Sequence, residues 1–222
     1  MDIASYIDHT LLKPATTYIE IKKICEEAVQ YGFAAVCVPP TLARQAGDYL
    51  TGSSVSLATV IGFPLGYSVT GAKTAEIEQA IADQVDELDI VINLVHLKNG
   101  QWPLLEKEMK ELSSIAHGHG KLVKVIIESG LLTDEEIIRC CEMYSGLGAD
   151  FLKTSTGYAE KGASIEAVRL MKNHLPDAVK IKASGGIRDY DFAQQLILAG
   201  ASRLGCSASV AIVKGALSAK NA

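Results

Sequence analysis

The sequence predicts an α/β protein of the (β/α)8 TIM-barrel class with a short N-terminal helical extension. Three observations carry that prediction. Apolar runs of strand length alternate along the chain with segments of helical period; the runs are near-continuously apolar; and seven are plain, with an eighth short one near the start. Strands apolar on both faces and separated by helices form parallel sheets covered on both sides. Eight of them close a barrel, whereas seven would leave an edge.

In chain order the strands fall at 8–12, 34–38, 55–61, 88–92, 122–127, 150–153, 179–183 and 202–205. The first is short and polar at its start; the second, third and fifth are rich in Val and Ile, the residues that suit a pleated, buried ribbon. After the first strand, Ile19, Ile21, Ile24, Cys25, Ala28 and Val29 recur at helical spacing. Further helices are expected at 72–84, 103–117, 133–146, 164–174 and 189–199, with a last one after the eighth strand. A doubly wound open sheet is the alternative, but it usually begins with a glycine-rich dinucleotide loop, and no G-x-G-x-x-G occurs.

Composition agrees with one domain over residues 1–222. Of the 222 residues 48% are hydrophobic and 21% charged, too apolar for a disordered chain and sufficient for a large core. Net charge is -5 with lysines scattered, so a nucleic-acid partner has no electrostatic footprint. The first residues lack the pattern of a signal peptide, and no run of about 18 apolar residues offers a membrane span. The expected location is the cytoplasm. Cys25, Cys37, Cys140, Cys141 and Cys206 make an odd count without a C-x-x-C pair, so they read as core residues.

Barrel enzymes build their sites at the C-terminal ends of the strands, often with phosphate held after the last two. Three apolar strands carry a lysine there or just below: Lys124, Lys153 and Lys182. Burying a lysine is costly unless it is paired or functional. Low dielectric and a second positive charge both favour the neutral amine, the form that attacks a carbonyl. Lys153 and Lys182 lie on adjacent strands, and an inward Asp89 would be placed to move protons. The alternative is a buried network in which these lysines only pair with Asp89 and Glu128. Gly185-Gly186 beside Ser184 reads as a glycine turn opening a helix, and Gly205 with Ser207 repeats the design one strand later; two such turns point to a phosphate site.

Five blocks bring these residues together. Asp8-His9-Thr10-Leu11-Leu12-Lys13-Pro14, Ile61-Gly62-Phe63-Pro64, Lys124-Val125-Ile126-Ile127-Glu128, Lys153-Thr154-Ser155-Thr156-Gly157 and Lys182-Ala183-Ser184-Gly185-Gly186-Ile187-Arg188 resemble the deoxyribose-phosphate aldolase family over about residues 2 to 215. The resemblance implies a class I aldolase that cleaves 2-deoxy-D-ribose 5-phosphate reversibly to D-glyceraldehyde 3-phosphate and acetaldehyde, without metal or cofactor. It implies that Lys153 forms the Schiff base, Lys182 keeps it neutral and Asp89 relays protons through a water. It sets Asp8 near the substrate hydroxyls, and Thr154, Gly157, Gly185, Gly186, Gly205 and Ser207 among the substrate and phosphate contacts. The chain departs from the family at Tyr158, where some members have a lysine, at Ala208, where a second serine is common, and in a tail without a terminal tyrosine.

The expected partners are small sugar-phosphate and aldehyde substrates, with a homodimer as one expectation because barrels of this size often pair. Another Schiff-base sugar-phosphate aldolase and a non-catalytic sugar-phosphate binding barrel are the rival readings. His117-Gly118-His119 reads as a solvated loop rather than a metal site, and Arg188 and Lys180 as rim and floor residues.

Overall fold

Eight parallel strands close on themselves in chain order, each paired with its sequence neighbours and the first with the last. The structure, a computed structural model, describes residues 2–220. The strands are β1 (Ile7–Thr10), β2 (Ala35–Val38), β3 (Ser56–Ile61), β4 (Glu87–Val91), β5 (Leu122–Ile126), β6 (Phe151–Lys153), β7 (Lys180–Ser184) and β8 (Arg203–Cys206). The helices are α1 (Tyr18–Tyr31), α2 (Ala43–Leu50), α3 (Thr70–Ala82), α4 (Leu94–Lys98), α5 (Trp102–Gly118), α6 (Asp134–Ser145), α7 (Ile165–His174), α8 (Tyr190–Ala199) and α9 (Ser209–Lys220). The expected (β/α)8 barrel is therefore present, and the N-terminal extension is a single 3-10 turn, Ala4–Tyr6.

Local chemistry sets the helix boundaries. Thr17 and Glu20 form a reciprocal capping box at the start of α1, as Thr133 and Glu136 do for α6, each satisfying two otherwise unpaired backbone donors. The helix α1 buries Ile21, Ile24, Cys25 and Ala28, one stripe at helical spacing, against the barrel. It stops at Gly32, whose φ of 68° is a conformation that side chains disfavour. Two short helices, α2 and α4, were not foreseen. Only Ala43, Ala46 and Leu50 of α2 and Leu97 of α4 are buried, which leaves little periodic signal. The glycine pair does not open a helix either: α8 begins at Tyr190, capped by the Asp189 carboxylate accepting from the Phe192 N–H at 2.9 Å.

The main apolar core lies between the strands and the surrounding helices, while the barrel interior is mixed. Laterally paired residues of parallel strands face the same side. Register therefore turns Asp8, Ala35, Asp89, Lys124, Lys153, Lys182 and Gly205 inward together. Cys37, Ala58 and Val60 make a small apolar cluster on β2 and β3, capped by Leu12 and Phe63. Outside the barrel, fully buried Lys73 of α3 donates to the Val91 carbonyl at 2.8 Å and to Glu108 of α5 at 2.9 Å. That pair ties two helices to the end of β4, the strand that carries Asp89.

Candidate active site

The interior charges form one connected cluster with Asp89 at its centre. One Asp89 oxygen accepts from Lys124 at 2.7 Å, and the other from Lys153 at 2.6 Å and Lys182 at 2.8 Å. Below it, Lys124 reaches Glu87 at 2.6 Å, and Arg203 holds Asp8 at 2.5 Å and Glu87 at 3.2 Å. Lys182 also contacts Asp8. Lys124, Lys182 and Arg203 thus face Asp8, Glu87 and Asp89, three cations against three carboxylates, and that balance leaves Lys153 as the amine whose charge the cluster does not need.

The ionisation of the two key lysines diverges accordingly. Burial lowers the pKa of Lys153; Asp89 opposes this, the Lys182 charge adds to it, and the net displacement is downward. Lys182 is equally buried, but Asp8 and Asp89 together outweigh that and hold it above the ordinary lysine value. Asp89 lies well below the usual carboxylate range because Lys124, Lys153 and Lys182 overcome its burial. Asp8 is lowered to about 2: burial would raise it, and Lys182, Lys124 and Arg203 prevail.

Of the three interior lysines only Lys153 lines the cavity at the strand C-termini, a space of about 350 Å³. Its wall includes Gly157, Ser184, Gly185, Gly186, Gly205 and Ser207, with Lys13 and Arg188 as further cations. Gly185 and Gly186 have φ of 87° and 80°, left-handed values that present backbone rather than side chain to the cavity. Ser207 lies two residues before α9, whose first N–H groups are unpaired within the helix and favour an anion. Gly205 has a second use: a Cβ there would come within 2.9 Å of Ser184 Cβ and 3.1 Å of Lys182 Cε, so its missing side chain leaves the space that Lys182 occupies.

Most residues singled out from sequence meet here, and three do not sit as expected. Asp8, expected near the substrate hydroxyls, is fully buried beneath Lys182 as a counter-ion of the lysines and does not line the cavity. Thr154 is buried too; its hydroxyl accepts from the Ser184 N–H at 3.0 Å and donates to the Ser184 carbonyl at 3.3 Å, joining β6 to β7 instead of facing phosphate. Asp89 touches Lys153 directly but is itself sealed from the cavity. Glu128 makes no ion pair with either lysine; its carboxylate takes hydrogen bonds from Thr156. Sequence reasoning missed Thr10, Leu12, Lys13 and Thr156 as cavity residues, although their positions at or just past the ends of β1 and β6 were the available signal. Arg188 is a rim residue as expected, and the rim is that of this cavity. His117, placed in a loop from sequence, is the last turn of α5 and lies 3.0 Å from Asp150, on the opposite side of β6 from Lys153 in chain order.

A closed parallel barrel with a lowered-pKa amine at the base of an anion-friendly cavity defines a TIM-barrel enzyme built for carbonyl chemistry on a small phosphorylated substrate. The comparisons make this specific. The chain belongs to the DeoC/LacD aldolase family, whose profile matches residues 3–222. It is 49% identical over 222 residues to a deoxyribose-phosphate aldolase of Thermococcus gammatolerans, covering 99% of each chain. It is 48% identical to one of Streptococcus gordonii over the full length of both. Among solved structures, an aldolase called QR15 superposes with TM-score 0.94 at 38% identity, over 100% of this chain and 98% of that one. A tetrameric deoxyribose phosphate aldolase from Aeropyrum pernix gives 0.91 at 31% identity, over 98% and 92%.

Proposed function

We propose that the chain is a class I aldolase that reversibly cleaves 2-deoxy-D-ribose 5-phosphate to D-glyceraldehyde 3-phosphate and acetaldehyde through a Schiff base on Lys153. The observation that carries this reading is that Lys153 alone of the interior lysines reaches the cavity, and it is the one whose pKa is lowered. Its neutral amine adds to the C1 aldehyde, and loss of water leaves an iminium ion. That cation draws electrons from the C2–C3 bond, which breaks as the C3 hydroxyl gives up its proton. The enamine left on Lys153 is protonated at C2, and hydrolysis releases acetaldehyde and the free amine.

Each neighbour has a part. Lys182 remains a cation and disfavours a second charge on Lys153. Asp89, an ionised carboxylate in contact with the amine, orients it, and a water relays protons between this pair and the substrate. Gly157, Gly185, Gly186, Gly205 and Ser207 surround the phosphate, with Lys13 and Arg188 supplying the positive charge that Tyr158 lacks. The reading invokes no metal or cofactor. It places the whole activity in one domain of residues 1–222. It also takes the enzyme to be cytoplasmic, and among the described residues no helix is long and apolar enough to cross a membrane. A homodimer belongs to the same reading, and light scattering on the purified protein decides it.

Incubation with acetaldehyde and borohydride, followed by peptide mass spectrometry, tests the covalent step. A reduced two-carbon adduct is expected on Lys153, and its absence from that residue sinks the mechanism. Lys153→Leu should lose all turnover; a variant that kept most of it would point to another nucleophile.

A further inference from the structure

Glu128, the residue two past the end of β5, differs from every carboxylate of the interior cluster. It is buried, at 2% exposure, yet among the described residues no lysine, arginine or histidine lies within ion-pair distance of it. Its backbone is left-handed, φ 53° and ψ 57°, a conformation unfavourable to a residue with a side chain. Two costs at one residue, beside the catalytic strand, mark a geometry held in place by its surroundings for a use.

What Glu128 holds is the loop after Lys153. The Thr156 N–H donates to both carboxylate oxygens, at 3.2 Å each, and the Thr156 hydroxyl donates to one of them. The same hydroxyl oxygen accepts from the Tyr158 N–H at 3.1 Å. The Tyr158 phenol donates to the Leu12 carbonyl at 2.6 Å, and its ring meets Phe63 edge-on with centroids 5.3 Å apart. The links run from β5, through the loop after β6, to the loop after β1. They form a strap across the barrel mouth, and its middle part, Thr156, Gly157 and Tyr158, is a wall of the phosphate cavity. Opposite stands Gly185, so close that a Cβ on it would lie 3.3 Å from the Gly157 Cα. Glu128 itself does not line the cavity.

We propose that Glu128 is a positioning residue for phosphate recognition, acting through Thr156 to hold that wall at the spacing the phosphate needs. The proposal rests on the reading that the cavity takes a sugar phosphate. A carboxylate so near a phosphate site would ordinarily repel the ligand. Here both its oxygens are covered by Thr156, and burial raises its pKa toward the neutral acid, which weakens the repulsion.

The test compares 2-deoxyribose 5-phosphate with unphosphorylated 2-deoxyribose in wild type, Glu128→Ala and Glu128→Gln. For Glu128→Ala, KM for the phosphorylated sugar should rise about tenfold or more with kcat little changed, while kcat/KM for the unphosphorylated sugar stays within about threefold. Glu128→Gln keeps an acceptor oxygen for Thr156 and should restore most of the affinity. Equal losses on both sugars would mean a general structural role and overturn the proposal, as would unchanged kinetics on both. If Glu128→Ala does not fold, Tyr158→Phe cuts the far end of the strap. A rise in its KM for the phosphorylated sugar relative to the unphosphorylated one then supports the proposal, and no change in that ratio defeats it. A wild type that cleaved neither sugar and trapped no acetaldehyde on Lys153 would instead remove the underlying functional reading.

Discussion

Replacing Lys182 with Met removes the positive charge that helps lower the Lys153 pKa while retaining an unbranched chain of similar length. Both lysine nitrogens bond the same Asp89 oxygen, at 2.6 and 2.8 Å, which bounds their separation. Two unit charges about 5 Å apart interact by ~3 kcal/mol at an effective dielectric of about 20. Loss of that repulsion, with Asp89 freed to attract Lys153 more strongly, stabilises the ammonium form and lowers the reactive amine fraction by about a hundredfold near neutral pH. The sign follows from Lys153 being active when deprotonated: kcat/KM rises with pH, and in the variant that rise moves to higher pH. The assay is the pH profile of kcat/KM for 2-deoxyribose 5-phosphate, with active sites counted by borohydride trapping. The deficit should be about a hundredfold near neutrality and should shrink as pH increases. A deficit of the same size at every pH would refute the electrostatic role and assign Lys182 to proton transfer.

Further outcomes follow from the packing and charges. Lys73→Met leaves Glu108 buried without its cation, so urea unfolding should register a loss of about 3–5 kcal/mol, largely recovered when Glu108 is also made apolar. Gly205→Ala forces a methyl group against Ser184 Cβ at 2.9 Å and Lys182 Cε at 3.1 Å; denaturation should show a cost of about 1–3 kcal/mol, together with reduced turnover. Asp8 is held down at about 2 and Asp89 well below the ordinary carboxylate range, so the stability they contribute is present above about pH 4 and is lost as pH falls through their folded-state values. Acid unfolding followed by circular dichroism should be shallower in Asp8→Asn. All five cysteines are buried and free, with Cys37 pushed up to about 11 by burial, so a thiol reagent at pH 8 should label the native protein slowly and the unfolded protein at all five positions.

Much of the architecture is legible because it depends on periodicity. The seven long apolar runs became seven strands, and each long amphipathic stretch became a helix, since apolar residues at a period of two or near four leave few alternatives. The eighth strand was harder: β1 ends at Thr10, and Leu11 and Leu12 pass into the loop that walls the cavity. The short α2 and α4 bury too few residues to be read, and the tail residues 221–222, which include part of the stretch noted for lacking a tyrosine, lie outside the described residues.

Within the site, sequence determined which side chains had to be special. A lysine or aspartate among residues such as Leu88, Ile90 and Leu152 has either a partner or a task, because an isolated buried charge is too costly. That reasoning pointed to Lys153, Lys182 and Asp89 and to the Gly185-Gly186 turn, whereas Gly205 lies inside β8 and forms no turn after it. What it did not determine is height along the barrel axis. Strand alternation tells inside from outside, but the stagger between neighbouring strands is set by closure of all eight, through the tilt that a barrel requires. Only that stagger places Asp8 beside Gly205 and under Lys182, seals Asp89 from the cavity, and raises Lys153 to its floor. Equally, the strap from Glu128 to Leu12 joins residues more than a hundred positions apart, a contact that no local pattern encodes. The chain alone marked three lysines in apolar strands; the closed barrel brings only Lys153 of them to the cavity.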